Sequence, residues 1–183
     1  MNKTDLSSYD NSDFDFGASR FKWALWFIVN VLVVRNTLNP LMGIKRFVLR
    51  LFGARIGRGV VIKPGVNIKF PWRLHIEDHA WIGENVWIDN LAQVTIGSHV
   101  CLSQGAMLIT GNHNYKKSTF DLMVGEITLE EGVWIGAGAV VTANVRCGSH
   151  AILTSGSMTS KDLEAYMIYS GVPAQKIRER VIE

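Results

Sequence analysis

Between Ala54 and Asp162, apolar residues return at every sixth position, and this spacing predicts the fold of the chain. A second apolar position lies two residues earlier in each hexad. Only Ser157 and Thr159, both in the last hexad, interrupt the pattern. A six-residue apolar period is typical of a β-helix built from triangular coils of three hexads. The positions predicted to point inward are Ile56, Ile62, Ile68, Ile76, Ile82, Ile88, Ile96, Leu102, Leu108, Leu129, Ile135, Val141, Cys147, Leu153 and Thr159.

The spacing between successive inward residues exceeds six residues in three places. It is eight residues from 68 to 76 and from 88 to 96, and twenty-one residues from 108 to 129. Because three hexads complete one coil, all three long steps fall at the same corner. Long loops on a rigid scaffold are a usual place for functional residues. We therefore expect neighbouring irregularities at this corner, namely bulges at 70–73 and 89–92 and a loop at 111–125.

The part before the repeat is predicted to form a polar arm, residues 1–20, followed by two helices. The apolar segment 23–34 would be about 18 Å long as a helix, which is shorter than the ~30 Å hydrocarbon core of a bilayer. The segment 41–51 has apolar residues at helical spacing beside Lys and Arg. Two interpretations stay open: the helices cap the end of the β-helix, or they contact a membrane surface.

The whole chain is predicted to be one domain of 183 residues. It divides into an N-terminal arm with helices (1–53), a β-helix (54–162) and a C-terminal tail (163–183). A short helix is predicted over 175–181. The fold class is therefore dominated by β structure, with helices at the two ends.

Charge and cysteine content limit the possible functions. The net charge is +3 and the pI is about 9.0. This suits an anionic cofactor or a membrane surface, but it is too weak to indicate nucleic-acid binding. The two cysteines, Cys101 and Cys147, lie within the repeat and not at metal-ligand spacing. They are predicted to be reduced, which indicates a cytoplasmic protein, with a peripheral position on the inner face of the membrane as an option.

One of the five histidines is a candidate for chemistry. His79 and His99 occupy the same hexad position on successive coils and should stack, while His75 and His150 lie in a strand and at a corner. His113 instead stands at the root of the only long loop. A neutral imidazole, with an ordinary pKa near neutrality, can remove a proton from a hydroxyl group as that group attacks.

The chain resembles the left-handed β-helix acyltransferases of the hexapeptide-repeat superfamily. Within that superfamily it is most similar to the colanic acid biosynthesis O-acetyltransferase family. The resemblance covers nearly the whole chain. The segments that carry it are Asp5–Ser7, Leu49–Ala54, Val61–Ile68, Val86–Ala92, Thr110–His113, Val133–Ala137 and Gly171–Ala174.

The resemblance implies a left-handed coil, a homotrimer and transfer of an acetyl group from acetyl-CoA to a sugar hydroxyl, with no metal required. His113 would be the general base, and transfer would be direct, without an acyl-enzyme. The acceptor would be a small or lipid-linked saccharide of exopolysaccharide biosynthesis. Asn112, Asn114 and backbone amides near Ala137 are candidates to orient the imidazole or to meet the oxyanion.

Candidate acceptor-binding residues come from the two bulges. Asp89 and Asn90 could bind sugar hydroxyls, although polar turn residues often serve their own backbone. Trp72 could pack on a sugar face, although it could equally cover apolar surface. In related sugar acetyltransferases an asparagine helps to hold the acceptor, but Gly83 occupies that register here, and Asn85 follows two residues later.

The resemblance also implies a cofactor site along the coils between two subunits. Small residues near the corner would let a slender pantetheine arm approach the backbone, and the cations would meet the nucleotide phosphates. Solvated surface charge is the alternative interpretation of those cations, and Trp134 could instead be an interface residue. The implied cofactor residues are Trp134, Ala137, Ser155, Ser160, Lys161, Gln175 and Arg178.

Two other functions remain as alternatives. A zinc enzyme similar to the γ-class carbonic anhydrases would use histidines as ligands, but the closely spaced pair of that family is absent. A non-catalytic trimeric scaffold would not bind acetyl-CoA and would tolerate substitution of His113.

Overall fold

The computed structural model describes residues 3–183, and in it the hexads form a parallel β-helix with three sheets. Sheet A contains β1 (Arg55–Ile56), β4 (Leu74–Ile76), β7 (Val94–Ile96), β12 (Ile127–Leu129) and β15 (Val145–Cys147). Sheet B contains β2 (Val61–Ile62), β5 (Trp81–Ile82), β8 (Cys101–Leu102), β13 (Trp134–Ile135), β16 (Ile152–Leu153), β18 (Met167–Gly171) and β19 (Ala174–Glu179). Sheet C contains β3 (Asn67–Ile68), β6 (Trp87–Asp89), β9 (Met107–Ile109), β14 (Val140–Thr142) and β17 (Met158–Thr159).

The inward positions of successive coils stack directly on one another. Ile56 pairs with Ile76, Ile76 with Ile96, and Ile96 with Leu129 along sheet A. These side chains are buried and form one continuous apolar core. Thr159, the polar member of the inward set, is also buried, and its hydroxyl donates to the carbonyl of Lys161 at 2.7 Å. The predicted β-helix of hexapeptide repeats is confirmed.

Two helices precede the β-helix, close to the predicted segments. The first, α1 (Arg20–Val29), continues as a π-helical turn (Asn30–Val34), and the second is α2 (Met42–Leu51). Ser19 accepts a hydrogen bond from Lys22 N and so caps the start of α1. The arm before α1 contains one 3-10 turn at Leu6–Ser8; Met1 and Asn2 lie outside the described residues. Within residues 3–183, neither helix has the length and hydrophobicity needed to cross a bilayer.

Side chains of the two helices satisfy backbone carbonyls at the exposed edge of the first coil. An uncovered strand edge presents unpaired polar groups, and covering it is a common protective device. Lys45 is fully buried even though it is charged, and burial lowers the pKa of its ammonium group. The capping interpretation is therefore realised in the structure. The donor–acceptor pairs are Arg50 with Ile56 O (2.8 Å), Arg46 with Val60 O (2.6 Å), Lys45 with Lys63 O (3.0 Å) and Trp26 with Ile68 O (3.0 Å).

The predicted C-terminal helix over 175–181 is wrong. The chain turns at Gly171, which has a φ of +100°, and returns as β19, antiparallel to β18. Strand β18 itself stacks parallel on β16, so sheet B extends beyond Asp162. The residues of β19 are largely exposed. Backbone pairing with β18 therefore decides the conformation, because no buried apolar face favours a helix here.

Candidate active site

The corner between sheets C and A carries the two bulges and the long loop. Thr110 joins the loop to the second bulge, because its hydroxyl donates to Asp89 O at 2.7 Å and accepts from Ala92 N at 3.0 Å. Asn90 joins the second bulge to the first, through Phe70 N at 2.9 Å. Thr110 is fully buried, so the root of the loop is held on the second bulge. The predicted neighbourhood of these irregular segments is confirmed.

The loop starts and ends as a hairpin of β10 (Gly111–His113) and β11 (Leu122–Val124). A Cβ atom at Gly111 would lie only 2.7 Å from Leu91 Cδ1, so glycine lets the hairpin pack closely on the second bulge. His113 is the last residue of β10 and pairs with Leu122. The hairpin thus fixes the backbone of the candidate base.

The imidazole of His113 is held by Phe120. Its Nδ1 atom lies 2.8 Å from the carbonyl oxygen of Phe120, and the two rings are parallel with centroids 4.4 Å apart. A carbonyl oxygen can only accept a hydrogen bond, so Nδ1 must carry a proton, and in the neutral ring the lone pair lies on Nε2. Phe120 has a φ of +53°, a rare conformation for a bulky residue, in which its carbonyl meets the imidazole. This carbonyl, rather than the side chain of Asn112 or Asn114, orients the ring.

A cavity of about 350 Å³ lies beside His113. Aromatic side chains form most of one wall, while Lys69 and Asp89 supply charge. Tyr9 approaches the imidazole with a ring-centroid distance of 5.7 Å. This combination of apolar and polar walls beside a base suits a small polar molecule that has an apolar face. The cavity is lined by Tyr9, Asn11, Phe14, Phe16, Trp23, Lys69, Phe70, Asp89, Leu91, Gly111, His113 and Leu122.

The carboxylate of Asp89 lines this cavity. Lys69 Nζ lies 2.9 Å from Asp89 Oδ1, and the carboxylate side chain is only 18% exposed. Oδ1 is buried, and the ammonium group of Lys69 is its partner. The other oxygen, Oδ2, is directed toward Gly111 at the cavity wall, where a ligand hydroxyl could donate to it.

Asn90 and Trp72 have other partners. The buried side chain of Asn90 accepts from Phe70 N at 2.9 Å and donates to the carbonyls of Phe70 and Arg73. Trp72 packs its ring parallel to Phe70, and its Nε1 donates to Phe16 O at 2.7 Å. Neither side chain lines the His113 cavity. Asn90 shapes the first bulge, and Trp72 anchors the N-terminal arm.

Asn85 lies at a different corner, between sheets B and C. It has a φ of +56°, and its side chain lies over Gly65 of the preceding coil. Within one chain, the structure therefore does not bring Asn85 to His113.

The N-terminal arm contributes residues that the sequence did not indicate. The amide of Asp5 donates to Ser118 O at 2.9 Å, so the arm crosses to the long loop. The guanidinium of Arg73 lies 5.3 Å from the ring centroid of Phe14 and donates to Asp15 O. The only sequence signal for this role was the recurrence of aromatic residues in an otherwise polar segment, at Tyr9, Phe14 and Phe16.

No family model matches the chain, but individual proteins do. The Escherichia coli K12 protein WcaF, named for colanic acid biosynthesis acetyltransferase activity, is 35% identical over 177 residues, which cover 97% of both chains. The chain belongs to the colanic acid biosynthesis acetyltransferase family. It is therefore an acyltransferase, and the zinc-enzyme and scaffold alternatives are set aside. A galactoside O-acetyltransferase of Escherichia coli K12 is 28% identical over 129 residues, covering 69% of this chain and 64% of that protein.

Solved structures share the fold of this chain. A hexapeptide-repeat acetyltransferase of Vibrio cholerae, complexed with acetyl-CoA, has a TM-score of 0.78 at 22% identity and covers 94% of this chain and 93% of its own. A galactoside acetyltransferase in complex with coenzyme A has a TM-score of 0.76 at 24% identity, with 87% and 80% covered.

The residues that the family resemblance assigns to the cofactor lie in separate places on one chain. Trp134 is exposed on sheet B and donates from Nε1 to Ser103 Oγ at 2.9 Å. Ser160 lines a cavity of about 510 Å³ together with Gly111 and Asn112. Ala137 and Ser155 lie at the corner of sheets B and C, and Lys161 lies at the corner of sheets C and A. Gln175 and Arg178 lie on β19.

The corner between sheets B and C has room along its edge. Gly105, Gly138 and Gly156 occupy equivalent positions of three successive coils, and each has a positive φ. A Cβ atom at any of them would have nothing within 4 Å. A slender ligand could therefore approach the backbone along this edge.

The cysteines are not placed as nucleophiles for this site. Cys101 lies on sheet B beside Trp134, away from the corner that holds His113. Burial raises the pKa of the Cys101 thiol, and it raises the pKa of Cys147 to about 12. A thiol rather than a thiolate is thus the prevailing form of each near neutral pH.

The other histidines lie elsewhere. His79 and His99 stack with ring centroids 5.3 Å apart, as predicted, at the corner between sheets A and B, and His150 packs against Tyr166 at the same corner. Across the part of the chain that the structure describes, no three His, Cys, Asp or Glu side chains are grouped so that they could hold a metal ion.

Proposed function

We propose that this enzyme transfers the acetyl group of acetyl-CoA to a sugar hydroxyl in exopolysaccharide biosynthesis, with His113 as the general base. The observation that carries the proposal is the hydrogen bond between His113 Nδ1 and Phe120 O, because in the neutral ring it assigns the proton to Nδ1 and the lone pair to Nε2, beside a cavity. Family membership supports the type of reaction, and the relatives named for galactoside acetylation support a sugar acceptor.

The chemistry follows from this tautomer. Nε2 accepts the hydroxyl proton while the hydroxyl oxygen attacks the thioester carbonyl, and the resulting tetrahedral intermediate expels the thiolate. The imidazolium then returns its proton to the thiolate, which leaves as coenzyme A. Phe120 O stabilises the imidazolium by accepting from Nδ1 throughout. The transfer is direct, because neither cysteine lies at this corner.

Asp89 is the proposed acceptor ligand. Its carboxylate lines the cavity, where Lys69 pairs with Oδ1 and Oδ2 is directed toward Gly111. A sugar hydroxyl that donates to Oδ2 would be held in the same cavity as Nε2. Asn85 could contribute only from another subunit.

A homotrimer explains the scattered cofactor residues. Trp134, Ala137 and Ser155 lie on one side of the prism, whereas Ser160 and Lys161 lie at the corner that carries His113. If two subunits pack side by side, the Trp134 side of one would face the His113 corner of the other. A groove for acetyl-CoA would then form between them. Lys161 and Arg178 are both exposed and could meet the nucleotide phosphates.

The proposed location is the cytoplasm, with the N-terminal helices on the inner face of the membrane. Residues 20–51 contain six Lys or Arg and no Asp or Glu. Three of these cations satisfy carbonyls of the first coil, while Arg20 and Arg35 are exposed. Large apolar side chains are exposed beside them, at Phe21, Leu25, Ile28, Leu32, Leu38, Ile44, Phe47 and Leu51.

The test of the function is thiol release from acetyl-CoA in the presence of methyl and octyl glycosides of glucose, galactose and fucose. We expect acetyl transfer to at least one sugar and a loss of about 10²- to 10⁴-fold in kcat for His113→Ala. His75→Ala, a change on the outer side of β4, is the matched control and should retain the activity. Full activity of a trimeric His113→Ala protein would refute the assignment of the base.

A further inference from the structure

The N-terminal arm is attached to the β-helix on both sides of Tyr9. Before Tyr9, the amide of Asp5 donates to Ser118 O of the long loop at 2.9 Å. After Tyr9, the indole Nε1 of Trp72, in the first bulge, donates to Phe16 O at 2.7 Å. Tyr9 therefore lies on a segment that is held at two places, between the loop that carries the candidate base and the first bulge.

Arg73 strengthens the second attachment. Its side chain is only 19% exposed, and its guanidinium donates to the carbonyls of Leu91 and Asp15. The guanidinium also lies 5.3 Å from the ring centroid of Phe14. Gly17 has a φ of +68°, and a Cβ atom there would lie only 3.2 Å from Arg73 Nε. The arm is thus shaped to pack closely against this guanidinium.

Tyr9 is the aromatic residue of the arm that lies nearest the candidate base. Between residues 3 and 13, Tyr9 alone is half-buried, and the other residues are exposed. Its backbone continues a 3-10 turn, in which the amide of Tyr9 donates to Leu6 O at 3.2 Å. Its side chain lines the His113 cavity. The arm therefore places this ring in the site, while its neighbours in sequence face solvent.

The surroundings of His113 leave the side of Tyr9 for a substrate. Phe120 covers one face of the imidazole with its ring and the Nδ1 edge with its carbonyl oxygen. The ring of Tyr9 is inclined at 58° to the imidazole, with centroids 5.7 Å apart, so it does not share the face that Phe120 covers. A reacting hydroxyl has to come within about 3 Å of Nε2. A sugar placed in this way in the cavity would contact Tyr9.

We propose that Tyr9 is an acceptor-binding residue, whose ring packs on an apolar face of the reacting sugar, and that Arg73 is the positioning residue that holds the arm. This inference rests on the proposed sugar acetylation. A sugar ring has C–H groups on its faces and hydroxyl groups around its edge. The face therefore suits an aromatic side chain, and the edge suits Asp89 and Nε2. The two kinds of contact together orient the reacting hydroxyl towards His113.

The first test is Tyr9→Ala, assayed with the best methyl glycoside. We expect the KM for the glycoside to rise about five- to tenfold, because the contact with the ring is lost. The kcat and the KM for acetyl-CoA should stay within about twofold, because the ring binds the ground state and the transition state alike. Tyr9→Phe keeps the ring and should behave like the unmodified protein. Tyr166→Ala removes a tyrosine that is 45% exposed beside His150, and both KM values should stay unchanged.

A double variant tests the role of the arm. Arg73→Met removes the donors that hold the arm and should raise the KM for the glycoside in the same direction as Tyr9→Ala. The double variant Tyr9→Ala/Arg73→Met should stay within about twofold of Tyr9→Ala, because the arm then has no ring to position. A larger rise in the double variant would show that Arg73 acts on the site without Tyr9, and its positioning role would be wrong.

The outcomes separate this inference from the proposed function. An unchanged KM for the glycoside in Tyr9→Ala would overturn the inference and leave sugar acetylation intact. An equal rise in Tyr9→Phe would also overturn it, because the hydroxyl group rather than the ring would then bind the acceptor. No transfer to any glycoside by the unmodified protein would overturn both the inference and the proposed function.

Discussion

Asp89 is the residue whose substitution should separate acceptor binding from cofactor binding. Asp89→Asn keeps the size of the side chain but removes its charge. A hydrogen bond to a charged group contributes about 1.5–3 kcal/mol. We therefore expect the KM for the best glycoside acceptor to rise at least about tenfold, while the KM for acetyl-CoA changes little. Initial-rate kinetics with each substrate varied in turn measures both constants.

The control for this change is Asp78→Asn. Asp78 forms an ion pair with Arg58 at the corner between sheets A and B, away from the cavity. The Asp78→Asn substitution should leave the KM for the glycoside and the KM for acetyl-CoA unchanged. An equal rise of both constants in Asp89→Asn would indicate a general disturbance of the second bulge and would contradict a role in acceptor binding.

Single residues show how far the sequence could predict the site. His113 could be identified because the step of twenty-one residues marks the loop that carries it. The group that orients it could not be identified, because Phe120 acts through a main-chain carbonyl and any side chain could stand there. Asn90 looked like a ligand because it is polar and lies in a bulge, yet its buried amide group holds the neighbouring bulge.

Among the elements, α2 should contribute to stability through its contacts with the first coil. Arg50→Ala removes the donors for the carbonyls of Ile56 and Gly57 at the exposed edge of β1. We expect the free energy of unfolding to fall by about 1–2 kcal/mol, since the acceptors regain only partial access to water. Chemical denaturation followed by circular dichroism measures this change.

The comparison for Arg50→Ala is Arg58→Ala. Arg58 pairs with Asp78, but its side chain is 89% exposed, and exposed ion pairs contribute little. The denaturation midpoint should barely move. If both variants lose the same stability, the loss would come from surface charge in general and not from the cap.

The elements also differ in how well the sequence predicts them. The hexads predict every coil, because the equivalent inward residue of each coil is buried in the same core. The apolar period in the sequence is therefore strong. The tail gave no such signal. Ile177 and Val181 have helical spacing, but both are exposed, and the free edge of β18 offers backbone partners that the local sequence cannot reveal.

At the scale of the whole molecule, two surfaces of the N-terminal helices have different partners. One side of α2 uses Lys45, Arg46 and Arg50 to cover the first coil. The opposite side exposes Phe47, which is 65% accessible, and the preceding loop exposes Leu38, which is 88% accessible. The basic character of α2 is thus directed inward, and contact with a membrane would depend mainly on the apolar residues.

This division leads to a prediction about vesicle binding. The intact protein should sediment in part with vesicles that contain phosphatidylglycerol, because its exposed apolar side chains can enter the interface beside Arg20 and Arg35. The double variant Leu38→Glu/Phe47→Glu should stay in the supernatant and keep its thermal stability, because neither side chain is buried. Val181→Glu, a change at an equally exposed residue of the tail, should sediment like the unmodified protein. Failure of the intact protein to sediment would reject the membrane contact and would leave the helices with the capping role alone.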